Sequence, residues 1–129
     1  MSEKSRYLKA FNEHFIQFVM DIHKVFPKDD DILYSLNALK EIRKINPRLI
    51  MMIFTDYVVK NYKDKLMAGN IDYFLDKDYS DDIKYMKNAN SIVEKINKLR
   101  DPIRKMNDVD KLKILKYLQN LIKLCDYYN

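Results

Sequence analysis

Asn46-Pro47-Arg48-Leu49-Ile50-Met51-Met52-Ile53-Phe54-Thr55-Asp56-Tyr57-Val58-Val59 is the stretch on which the choice between helix and sheet turns. Six successive apolar residues from Leu49 to Phe54 suit a buried strand as well as a helix, and Tyr57-Val58-Val59 is rich in strand formers. Three features favour the helix. Asn46-Pro47 reads as an N-cap followed by proline at the first helical position, where its missing N–H is harmless and its φ is already set. The helical spacing then continues through Tyr57, Asn61, Tyr62 and Leu66. Gly69, the only glycine of the chain, stands just past Ala68, where a C′ residue ends a helix. A helix over Pro47 to Ala68 is therefore predicted, and apolar residues on most of its circumference place it near the centre of the fold.

Working upstream, Leu8, Phe11, Phe15, Phe18, Val19, Ile22 and Phe26 recur at three and four, which makes one stripe of a helix from Tyr7 to Phe26. Pro27 ends it. Asp29, Asp30 and Asp31 supply a cap and first-turn acids for a second helix with Ile32, Leu36, Leu39 and Ile42 inside, stopping near Ile45. Downstream, Ile71 to Leu75 predicts one or two helical turns plugging an end of the core. Ser80, Asp81 and Asp82 open a further helix with Ile83, Met86, Asn90, Val93 and Ile96 as its stripe and a basic end at Lys98 and Arg100. Asp101-Pro102 repeats the cap-then-proline device for a short turn to Met106. Asn107 or Asp108 then caps a last helix towards Tyr127. Ile114, Leu115, Leu118, Leu121, Ile122 and Cys125 form its inner face, and Lys113, Lys116, Asn120 and Lys123 its outer face. The expectation is an all-α fold, a compact single-domain bundle over residues 1–129 of four or five main helices with short connecting turns.

Composition agrees with that class. The chain has 129 residues, 47% hydrophobic and 33% charged, enough to bury a core and solvate a surface. One glycine and three prolines are too few for the tight turns of a β-sandwich and leave no glycine loop for phosphates. A lone cysteine makes no internal disulfide, and no signal-like segment leads the chain, so secretion is not expected. The run Leu49 to Phe54 falls far short of the ~20 residues that span a bilayer. Lysine outnumbers arginine 19 to 5, with 14 isoleucines and 11 asparagines, a pattern that A+T-rich coding produces.

Motifs for chemistry are weak. His14 and His23 lie nine apart on one helix, pointing about half a circle from each other, and neither has a His or Cys partner at the spacing zinc sites use; both read as structural or surface residues. Cys125, on an apolar face, reads as a small core residue. The run Asp76 to Asp82 has oxygen side chains at the first, third, fifth and seventh positions of a calcium loop. It places Asp81 where glycine makes the turn and Lys87 where glutamate closes the shell, so helix capping is the better reading. No nucleophile elbow, dinucleotide fingerprint or zinc-protease signature occurs. Neither catalytic residues, a cofactor nor a metal is expected.

The net charge of +5 is uneven: residues 1–94 hold 15 basic and 15 acidic side chains, and residues 95–129 hold nine and four. Lys98, Arg100, Arg104, Lys105, Lys113, Lys116 and Lys123 are thus the candidate nucleic-acid contacts, with Tyr117, Tyr127 and Tyr128 interleaved to stack on bases. Ten tyrosines and seven methionines exceed what a small core requires. Several are expected on the surface, where such residues favour protein contacts.

Five segments taken together, Phe11-Asn12-Glu13-His14-Phe15, Ile45-Asn46-Pro47-Arg48-Leu49, Asp76-Lys77-Asp78-Tyr79-Ser80, Leu99-Arg100-Asp101-Pro102 and Tyr117-Leu118-Gln119-Asn120-Leu121, resemble in order and spacing a family of short proteins of nucleocytoplasmic large DNA viruses that infect algae and other protists. The resemblance spans residues 7–128. It implies synthesis in host cytoplasm and a part in replication, expression or particle assembly, and it carries over no catalytic or ligand residue. The expected function is a non-enzymatic interaction or structural module, located in host cytoplasm or virion and neither secreted nor membrane-spanning. Its partner would be another viral or host protein, or a further copy of the chain. The alternative is nucleic-acid binding through residues 95–123.

Overall fold

A computed structural model of the chain describes residues 2–78 and 90–129. The fold is all-α, with no strand among the described residues. Helix α1 (Glu3–Val25) starts earlier than its apolar stripe, because the Ser2 side chain accepts a hydrogen bond from Ser5 N–H and caps it; Pro27 follows its end, as predicted. Asp29 caps α2 (Asp30–Ile45) by accepting from Asp31 N–H and Ile32 N–H. Asn46 Oδ1 accepts from Arg48 N–H at 3.2 Å, and regular helix resumes at Leu49, two residues later than predicted.

The apolar stretch is helix, with one departure. It runs as α3 (Leu49–Phe54), a π-helical turn (Thr55–Val59) and α4 (Lys60–Met67), and Gly69 ends it at φ +89°. Asn70 caps the short α5 (Ile71–Asp76) through Tyr73 N–H. Helix α6 (Asn90–Lys98) buries Ile92, Val93 and Ile96; the start predicted at Ser80 to Asp82, Ile83 and Met86, the Asn90 side chain and most of the calcium-loop run lie outside what is described. Asp101 is not a cap: Leu99 stands at that position before α7 (Arg100–Arg104) and offers no side-chain hydrogen bond. Asp101 falls within the first turn, where its carboxylate instead accepts from Arg104. Asn107, accepting from Asp110 N–H, caps α8 (Asp108–Tyr128).

Helix α1 packs on α8 along one side and on α2 along another, and the α3–π–α4 rod touches α1, α2 and α6 early and α5 and α8 later. That rod is central, as its all-round apolarity requires. Phe11, Phe15 and Phe54 meet with ring centroids 5.4–6.1 Å apart, and all six residues predicted inside α8 are buried. Such burial, at about 25 cal/mol per Å² of apolar surface, is what holds short helices that are marginal alone.

The π turn has an identifiable consequence. In a regular α-helix Tyr57 and Tyr62, five residues apart, would point about 140° from each other. The wider turn brings both fully buried rings to one side, edge to face at 6.0 Å. There they accept hydrogen bonds from the Arg100 guanidinium at 2.7 and 3.2 Å.

Candidate functional site

The predicted basic residues do not all reach the surface. Arg100 is 2% exposed, and this corrects its reading as a nucleic-acid contact: its guanidinium donates to Tyr57, Tyr62 and Asn97 Oδ1 and lies 4.2 Å from the Phe74 ring centroid. Apolar and aromatic neighbours keep it inside because its Nε and Nη2 donors are engaged. Arg104 is spent on Asp76, Asp101 and the Leu75 carbonyl. Lys98 reaches Glu94 at 3.9 Å, and with Lys105 it borders a small hollow of about 280 Å³ shared with Asp29, Asp31 and Asp101. Lys113, Lys116 and Lys123 are exposed on the outer face of α8, in no ion pair among the described residues. The seven therefore divide into a buried base, acid-matched bases and one lysine stripe.

A larger hollow lies between α1 and α2, with a volume of about 780 Å³, inside the range of ligand sites. Its existence follows from the α1–α2 hairpin. Ile32, Leu36 and Leu39 are buried near the connecting turn, but beyond Leu39 no apolar residue of α2 is fully buried, and Ile45 is 83% exposed. The hairpin is thus sealed at its turn and open at its far end. Leu8, Asn12, Ile16 and Pro47 supply the inner wall, and Lys9, Lys40, Arg43 and Lys44 the charged border, with Glu41 the one acid among the described residues.

Asn12 is 2% exposed. Its Nδ2 donates to the Pro47 carbonyl at 2.8 Å and ties α1 to the turn before α3. Its Oδ1 is buried without a hydrogen-bond donor among the described residues, which costs about 1–3 kcal/mol when left so. Lys9 and Lys44 stand 4.0 and 3.4 Å from Glu13 and Glu41. Such exposed pairs contribute only ~0–1 kcal/mol and leave the charges available.

Average charge concealed this border. Residues 1–94 are neutral in sum, but α2 carries two of its three acids, Asp30 and Asp31, in the first turn and two of its three bases, Arg43 and Lys44, in the last, the order that the helix dipole favours. The dipole thus collects cations at the open end of the hairpin. The signal was present in the sequence as three bases within Lys40-Glu41-Ile42-Arg43-Lys44.

Other reactive groups are committed to structure. The ring of half-buried His14 lies 4.7 Å from that of Tyr117, and burial lowers its pKa. Tyr117 donates to Asp21; burial first and the carboxylate second push the phenol up to about 12. Burial raises the Asp21 carboxyl, but the hydrogen bonds of Tyr117 and Gln17 and the charge of Lys24 outweigh it and bring the group below its ordinary value. The Cys125 thiol is buried and for that reason pushed up to about 11, the opposite of an activated thiolate. Among the described residues no group of three His, Cys, Asp or Glu is placed to hold a metal, and no helix is long and apolar enough to cross a membrane.

Fold and groove together define an all-α protein with a cation-bordered cleft between two helices. No protein-family model matches the chain, and neither a curated protein nor a solved structure is found to be similar.

Proposed function

We propose that this chain is a non-enzymatic interaction or structural module of a large DNA virus, acting in host cytoplasm or virion, and that it engages a protein partner at the α1–α2 groove. One observation carries the reading: among the described residues, four cationic side chains and a single acid border an apolar-walled cleft of about 780 Å³. Exposed Tyr34, Met52 and Tyr127, at 68%, 56% and 62%, are residue types that protein interfaces favour. The test is a photo-crosslinking side chain at Asn37, on the groove, and another at Lys60, exposed on α4, in extracts of infected cells. The expected result is a protein adduct from position 37 and none from position 60. Equal adducts at both, or none at either, would overturn the reading.

A second reading, nucleic-acid binding, draws on the α8 stripe. Lys113, Lys116 and Lys123 recur with helical spacing on one exposed face that ends at Tyr127. If phosphates dock there, replacing the three with glutamate weakens binding of a labelled single strand and flattens its salt dependence. Unchanged binding disposes of it.

A further inference from the structure

We infer that the occupant of the α1–α2 groove is an acidic amphipathic helix of about three turns, contributed by another protein. The inference rests on the proposed function and adds the partner's chemistry. Shape supplies the first reason. Both walls are helices, so their main-chain groups are already paired within each wall, and an extended strand would find no edge to extend. What the walls offer is side-chain ridges at helical spacing, Leu8, Asn12 and Ile16 on α1 and Asn37, Lys40 and Lys44 on α2, the surface into which a third helix packs.

Length supplies the second. From Ser5 to Ile16 the α1 wall is about 16 Å long at ~1.5 Å per residue, room for about three turns. Charge supplies the third, because among the described residues four cations and one acid border the cleft, a balance that would attract carboxylates on the flanks of an apolar stripe. A second copy of the chain does not meet these needs: among the described residues, none of its own helices exposes an apolar stripe flanked by acids along three turns.

The test is fluorescence anisotropy of the full chain with a labelled peptide of about three turns carrying leucine at every third or fourth position and glutamate between. Three further probes accompany it: the same peptide with lysine for glutamate, the glutamate peptide broken by a central proline, and a labelled single-stranded oligonucleotide. Saturable binding of the intact glutamate peptide is expected, with a Kd at least ~10-fold weaker for the proline and lysine peptides. Lys40→Glu with Lys44→Glu should weaken it at least ~10-fold, and Lys116→Glu with Lys123→Glu on α8 should not. Three outcomes overturn the inference: no binding, equal binding of the proline-broken peptide, or stronger groove-dependent binding of the oligonucleotide. The module reading falls separately, when crosslinking from position 37 finds no protein; a protein adduct together with a failed peptide would sink the acidic helix alone.

Discussion

Arg100 shows how far a residue can lie from what its type suggests. Counted among the bases of the C-terminal segment, it instead closes the core by bridging Tyr57, Tyr62 and Asn97. Nothing in its local sequence marks it as buried, because its two tyrosine partners come from a rod about forty positions earlier. Replacing it strips donors from groups that stay inside, so Arg100→Ala should lower unfolding free energy by about 3 kcal/mol and Tyr57→Phe by about 1–2, read from urea denaturation. His14 was legible as structural, and its environment gives a pH signature. Burial holds its folded pKa below 6.5, so the unfolded chain takes up the proton first as pH falls. The stability His14 supports is full above about pH 6.5 and is lost below it, towards the folded pKa. Denaturation midpoints should thus fall between about pH 7.5 and about pH 5.5, and His14→Gln should flatten that slope. Asp21, also lowered, loses its share only at lower pH, as its carboxylate protonates, so the two windows are separable.

At the scale of elements, caps and breaks were the legible part. Pro27, Asp29, Gly69 and Asn107 each bound a helix in the structure, since the side-chain oxygen, the left-handed φ or the proline ring that starts or ends a helix is a local property. Asp101 misled because the same cap-then-proline pattern fits a proline inside the first turn. The π turn was invisible, because it answers to the partners of Tyr57 and Tyr62, not to any preference of Thr55 to Val59. It yields a sharp expectation. Asp56 is exposed, so Asp56→Ala should cost little, whereas deleting the residue would restore a regular turn in which Tyr62 and Leu66 keep their side and Tyr57, moved into the place of Asp56, turns by about 100° out of the core. The deletion variant should unfold at far lower urea or not fold at all; near-native stability would show that the register of the two tyrosines is dispensable. Gly69 has open space where a Cβ would stand, but φ +89°, so Gly69→Ala should cost about 1 kcal/mol through backbone strain alone, and Gly69→Asn less.

For the whole molecule, the all-α class followed from periodicity and from the scarcity of glycine, but the surface did not. Summing charge along the chain pointed to residues 95–123, whereas folding hides Arg100, matches Arg104 and Lys98 with acids, and gathers Lys9, Lys40, Arg43 and Lys44 from two helices around one cleft. Surface potential depends on which ends of which rods meet, and a linear count cannot contain that. Lys44 makes only an exposed pair, with Glu41, so Lys40→Glu with Lys44→Glu should lower unfolding free energy by about 1 kcal/mol, through that pair and the helix dipole, while changing what the cleft holds. The buried Cys125 gives the molecule a built-in clock. Its sulfur is 0% exposed on α8, beside Thr55 where the π turn begins, so a thiol-specific reagent meets it only when that seam parts. With rapid reclosure, the labelling rate of the native protein divided by that of the unfolded chain equals the fraction of time the seam stands open, and any ligand that tightens the bundle will slow that clock without touching it.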